Sequence, residues 1–154
     1  MINLFVPGTP VQQGSMKAFA FRRQNGRLGV SMVHNKGDAL SAWRETIRVA
    51  LLDAYPELVQ AEADGGYYKQ YVPVCLELTF YLQKPKSNKL PEPSNKKADL
   101  DKLVRAVGDA LSGIVYYDDS QTVSIKACKK WGDEEHPEGL LLKVKEFSKG
   151  EERP

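Results

Sequence analysis

The chain of 154 residues carries 22 Lys and Arg against 20 Asp and Glu and is 42% apolar and 9% aromatic. That composition suits one globular domain with one core and fits neither a disordered chain nor a two-domain enzyme. No apolar run approaches the roughly 18 residues of a membrane span, and the opening Met1–Gly8 lacks the features of a secretory signal, so the expected location is the cytoplasm.

Ile2–Val6 reads as a strand stopped by Pro7-Gly8-Thr9-Pro10. Lys17–Arg23 and Leu28–Val33, joined across Gln24-Asn25-Gly26-Arg27, read as a hairpin that carries Lys17, Arg22, Arg23 and Arg27. From Asp38 the period becomes helical, with Leu40, Trp43, Ile47, Ala50, Leu51 and Ala54 on one face and Pro56 as the stop. Ala61–Gln70 is polar and Gly-rich, a loop, and Val72–Leu82 alternates as a long strand. Lys84–Lys97 holds three prolines and five lysines, so it is expected to form a mobile basic loop that neither packs nor takes regular structure. A second helix follows over Asp99–Ser112, closed by Gly113 at the C′ position. Ile114–Tyr117, Thr122–Trp131 and Gly139–Phe147 read as strands. The expected architecture is α+β: one small domain over residues 1–147, a mixed or mainly antiparallel sheet with hairpin-like neighbours, two main helices, and a flexible tail at 148–154.

Cys75 and Cys128 lie apart in apolar surroundings and read as reduced core thiols, without zinc-ligand spacing. His34 and His136 are equally isolated. Charge is sorted along the chain: residues 1–37 carry five basic groups and no acid, and residues 84–132 carry ten basic groups against six acidic ones, while the zones between and after are net acidic. Two basic zones of this kind suit an anionic partner, although solvated charged faces produce the same pattern.

The chemistry concentrates on the second helix. A 100° step per residue places Leu100, Leu103, Val104, Val107, Ala110 and Leu111 on an apolar stripe, and Asp101, Arg105 and Asp109 on a polar row that also holds Gly108. Gly108 costs about 1 kcal/mol relative to Ala, which suggests a close approach to the backbone there. Taken singly, Asp99 reads as an N-cap, Asp101–Arg105 as a surface ion pair, and Asp118-Asp119-Ser120 as a polar turn. Taken together, two carboxylates at a helix start and two on the return loop can converge on one cation. Carboxylate-only ligands select Mg²⁺, or Mn²⁺ as a substitute, and such a cation beside a lysine-rich loop suits phosphodiester hydrolysis.

These residues resemble the RusA family of Holliday junction resolvases. The family signature runs Lys/Arg-x-Asp-x-Asp-Asn-x-x-Lys, then Asp-Ala-Leu-x-Gly, then Asp-Asp. Here it is matched by Lys97-Ala98-Asp99-Leu100-Asp101, Asp109-Ala110-Leu111-Ser112-Gly113 and Asp118-Asp119. Val6–Pro10, Gln13–Lys17 and Ala42-Trp43-Arg44 also look like family members from phages and prophages. The resemblance implies a small dimeric α+β fold and Mg²⁺-dependent nicking of four-way DNA junctions, with no small-molecule cofactor. It implies Asp99, Asp101 and Asp119 as metal ligands, with Asp118 a weaker candidate. Two positions depart from the family: Lys102 stands where Asn is usual, and Arg105 where a catalytic Lys is usual. Arg105 can stabilise phosphate charge but cannot donate a proton. Lys17, Arg22, Arg23, Lys96, Lys97 and Lys102 are the expected DNA contacts. The competing expectation is a non-catalytic DNA-binding module in which those departures mark lost activity; a metal-dependent nucleotide enzyme is a weaker third.

Overall fold

Four strands, β1 (Ile2–Pro7), β4 (Val74–Leu82), β5 (Thr122–Trp131) and β6 (Gly139–Glu146), form one sheet in the order β1-β6-β4-β5. β2 (Met16–Arg22) and β3 (Leu28–His34) form a separate antiparallel ribbon, and the helices are α1 (Gly37–Ala54), α2 (Glu57–Ala63) and α3 (Leu100–Leu111). This is a computed structural model that describes residues 1–14, 16–22, 28–34, 37–94 and 98–150. The sheet is mixed: β6 pairs antiparallel with β1 and β4, whereas β4 and β5 run parallel. The α+β class therefore holds, with one departure from the expected hairpin-like order. A parallel pair requires a crossover connection, and the segment from Gln83 to Gln121, carrying α3, supplies it.

The apolar faces read from the sequence meet in one core. Leu40, Trp43, Ile47 and Leu51 of α1 and Leu103, Val107, Ala110 and Leu111 of α3 are buried with Val74, Leu76, Leu78 and Phe80 of β4 and Leu140, Leu142 and Val144 of β6. Burial of each large side chain contributes about 1.5–3 kcal/mol, so this contact anchors α3 to the sheet. Arg48 of α1 extends the hold: its Nε donates to the Ala110 carbonyl at 3.1 Å and its Nη2 to that of Ser112 at 3.3 Å, satisfying carbonyls that the end of α3 leaves open. Gly113 ends the helix with φ +84°, as its place after Ser112 predicts.

Three segments differ from expectation. Pro56 stops α1 but also opens α2, because a proline fits the start of a helix as well as the end of one; Leu58 and Ala61 then bury the short helix. Ile114–Tyr117 is a turn and not a strand, with Ile114, Val115 and Tyr116 buried and Tyr117 exposed. Its backbone groups are used locally, with Ile114 and Val115 donating to Leu111 and Tyr67 and Tyr68 donating to Ile114 and Val115. At Gly66 (φ +151°) an added Cβ would lie 2.6 Å from the Tyr116 carbonyl carbon, which is why a glycine backs this turn. Between Lys84 and Ser94 no helix or strand forms, as expected, yet Pro93 is buried and the Leu90 carbonyl accepts from Trp131 Nε1 at 3.0 Å, so this part of the loop packs. Lys96 and Lys97 lie outside the described residues. Among the described residues no helix is long and apolar enough to cross a membrane.

Candidate active site

The start of α3 is fixed by the segment that leads into β2. Gln12 Oε1 accepts from the Asp99 amide at 2.6 Å, and the Gln13 amide donates to the Lys102 carbonyl at 3.0 Å. Asp99 occupies the N-cap position in extended conformation, but its side chain makes no capping bond; it pairs instead with Lys102 Nζ at 3.3 Å. Asp101 is exposed in the first turn of α3. Arg105 is also exposed, one turn further along the same row, and among the described residues no ion pair joins it to Asp101.

A pocket of about 390 Å³ opens along the polar row of α3. Arg105, Gly108 and Asp109 form one wall, Asp119 and Thr122 another, and Gln13, Tyr116 and the apolar Leu76, Val104 and Ile125 complete it. Asp119 is thus brought to Arg105 and Asp109 across the crossover turn. Asp109 is charge-balanced: Arg44 Nη2 donates to its Oδ2 at 2.9 Å and reaches Gln13 Oε1 at 3.4 Å, which links α1, α3 and the segment before β2. Among the described residues, no group of three or more His, Cys, Asp or Glu side chains is arranged to hold a metal ion.

The two adjacent aspartates differ in use. Asp118 caps the single 3₁₀ turn Asp119–Gln121: its Oδ1 accepts from the Ser120 amide at 2.9 Å, and hydrogen bonds from Ser120 hold its carboxyl below the usual carboxylate range. Both aspartates are exposed, and Asp119 is the member of the pair that lines the pocket. The turn is pinned from beneath by buried Gln121. Its Oε1 accepts from the amides of Tyr117 and Asp118 at 2.9 and 3.2 Å, and its Nε2 donates to the carbonyls of Lys69 and Val72 at 2.9 and 3.0 Å.

The close approach expected at Gly108 is the Tyr116 hydroxyl, which donates to the Gly108 carbonyl at 3.0 Å. Burial pushes the Tyr116 phenol well above its ordinary range, so it remains a proton-bearing donor and not a base at neutral pH. Among the described residues, a Cβ at Gly108 would meet only that hydroxyl, at 3.7 Å. Gly108→Ala is therefore expected to raise stability by up to about 1 kcal/mol through helix propensity, measured as an upward shift of the urea midpoint. A midpoint that falls would show that the helix needs the glycine for another reason.

Of the expected DNA contacts, Lys102 is paired with Asp99. Lys17 and Arg22 fall on β2 opposite Val33 and Leu28. Arg23, Lys96 and Lys97 lie outside the described residues. Of the two thiols, Cys75 is buried and Cys128 half-buried, with Thr79 Oγ1 at 3.8 Å from the Cys128 sulfur. Gln13 and Arg44 lie in segments that the resemblance marks without giving them a role at the site, and Gln12, Tyr116 and Gln121 carry no such signal.

The fold is a mixed sheet with one crossover helix, and Arg105, Asp109 and Asp119 surround one pocket on that helix. Residues 7–141 match the family of endodeoxyribonuclease RusA. The chain belongs to that family and is a nuclease of the kind that resolves Holliday junctions. It is also similar to the "Uncharacterized protein YqaN" of Bacillus subtilis (strain 168), 32% identical over 108 residues that cover 53% of this chain and 76% of the relative.

Proposed function

We propose that the protein is a Mg²⁺-dependent, structure-selective endonuclease that resolves four-way DNA junctions by paired symmetric nicks in recombination and repair, in the cytoplasm of a prokaryotic or phage-infected cell. The observation that carries this reading is the pocket that Asp119 and Arg105 share, within a chain of an endodeoxyribonuclease family. Two opposed nicks require two sites, and this chain offers one, so the acting species is a two-fold homodimer whose symmetry matches that of the junction.

Asp99, Asp101 and Asp119 are the residues proposed to supply carboxylates to the cation, with Mn²⁺ an acceptable substitute; as placed they form no ready three-carboxylate cluster, and Asp99 would first have to leave Lys102. The donor chemistry suits Mg²⁺, which binds through one or two carboxylates and fills its remaining positions with water and phosphate oxygens, so a closed cage of three carboxylates is not required. When bound, the cation supplies Lewis acidity at a phosphate oxygen and a water of lowered pKa.

Every other role falls to the chain itself. Arg105 offers a permanent, forked positive charge to the phosphate and holds it against the pocket without passing a proton. Lys102 balances Asp99 until DNA or a cation takes its place. Arg44 keeps Asp109 neutralised as a pair, which limits repulsion of the incoming phosphate. Lys17, Arg22, Arg23, Lys96 and Lys97 contact the DNA backbone, where affinity is gained without base information.

The test is incubation of a mobile four-way junction with the protein and Mg²⁺. Symmetric nicks that vanish with EDTA are expected. Salt-sensitive binding that is indifferent to metal, without strand scission, would establish the non-catalytic DNA-binding module instead.

A further inference from the structure

A second cavity, of about 570 Å³, lies beside the first. Gln12 borders this one and Gln13 borders the Arg105–Asp119 pocket, so one short stretch of chain partitions the two. Ala98, the residue before Asp99, is also on its wall, and Lys129 Nζ fixes the Ala98 carbonyl at 2.6 Å. The cavity therefore abuts the start of α3, next to the carboxylates.

Its lining differs from that of its neighbour. Trp131 and Pro85 present flat apolar surface, and Gln12, Gln83 and Glu138 supply amide and carboxylate groups. Trp131 is half-buried, and its Nε1 is already spent on the Leu90 carbonyl at 3.0 Å, so the ring plane is held and only its apolar surface is left for contact. Among the described residues no Lys or Arg lines the cavity, and Glu138 brings a carboxylate, tied to Thr9 Oγ1 at 2.8 Å. The described lining offers a phosphate no cationic side chain. A flat, neutral, hydrogen-bonding group is favoured, and the volume lies within the about 300–1,000 Å³ of small-ligand sites.

We propose that this cavity receives a nucleobase unstacked from the DNA strand whose phosphate lies against Arg105 and Asp119. The inference rests on the endonuclease reading and adds to it a base-binding subsite built on Trp131. Stacking on an aromatic ring tolerates any base, and a base near a junction's branch point is cheaper to unstack than one inside a duplex. The subsite thus favours branched over linear DNA without reading base edges in a groove.

Junction affinity measured in EDTA, which separates binding from cleavage, tests this. Trp131→Leu is expected to weaken binding about tenfold, in line with the loss of one stacked base, and Trp131→Phe to restore most of it. Phenylalanine cannot donate to Leu90, so recovery separates stacking from anchorage of the loop. Ala39→Phe, at an exposed position of α1 on the cavity wall, blocks the space while keeping Trp131 and is expected to weaken binding comparably. Deleting one base beside the nick site should weaken binding to wild type but not to Trp131→Leu. Equal affinities of all three variants and wild type, or an equal abasic penalty in wild type and Trp131→Leu, overturns the subsite. A wild-type protein that binds the junction, shows the Trp131 coupling and nicks nothing overturns the endonuclease reading and leaves the base-binding subsite standing.

Discussion

Asp119→Asn and Asp101→Asn are each expected to lower junction nicking by on the order of 10³ while the melting temperature shifts by no more than about 2 °C. Both side chains are exposed, so an amide of the same size removes charge without removing packing. The rate falls because a metal-assisted phosphodiester reaction draws several kcal/mol from the cation that these carboxylates are proposed to hold. Asp118→Asn supplies the contrast. Its carboxylate is occupied by Ser120 at the head of the 3₁₀ turn, and asparagine caps as well as aspartate, so nicking is expected to fall less than tenfold. Single-turnover nicking of a labelled junction, alongside thermal melts, distinguishes the three. If Asp118→Asn abolishes nicking and Asp119→Asn spares it, the roles of the two adjacent aspartates are reversed.

That contrast marks the boundary of what the amino-acid sequence discloses. The apolar stripe of α3, its stop at Gly113, the polar row Asp101–Arg105–Asp109 and the strands β5 and β6 are all legible, because each depends on residues a few positions apart. The Asp118–Asp119 pair is legible as a candidate but not as a division of labour, since the capping bond to Ser120 and the wall shared with Arg105 exist only once the crossover folds back. Arg44 and Asp109 are 65 positions apart, and Gln121 reaches back to Lys69 and Val72, so no local pattern announces either contact. The hydrophobic run Ile114–Tyr117 misleads for a related reason. Ile114, Val115 and Tyr116 are buried, but the run's hydrogen bonds go to the adjacent helix end and to Tyr67 and Tyr68, and only tertiary contacts make that choice.

Gln121 is where these long-range contacts converge on the site, and its replacement carries the largest expected cost in stability. Four backbone groups, the amides of Tyr117 and Asp118 and the carbonyls of Lys69 and Val72, bond to one buried amide side chain, and of these the Lys69 carbonyl also accepts from the Val72 amide at 3.0 Å. Gln121→Met preserves volume and removes the Gln121 partner of all four, leaving the Lys69 carbonyl its bond from Val72. With partial relief from water, the expected loss is about 3 kcal/mol, a fall in melting temperature on the order of 10 °C. Nicking is expected to drop even well below that melting temperature, because the turn that carries Asp119 to the Arg105 wall loses its tether from beneath. Gln121→Glu isolates the donor half of the contact. Ionised, the new carboxylate accepts from Tyr117 and Asp118 but faces two carbonyls with no proton; protonated, it donates to one of them. The folded state therefore holds the proton more tightly than the unfolded chain, and the variant's stability falls as pH rises above the ordinary glutamate range. Urea titrations at pH 5 and pH 7 should show Gln121→Glu gaining on Gln121→Met at the lower pH. If the two variants keep the same difference at both, the contacts to the Lys69 and Val72 carbonyls do not hold the Asp119 turn, and the tether must lie with the Oε1 contacts alone.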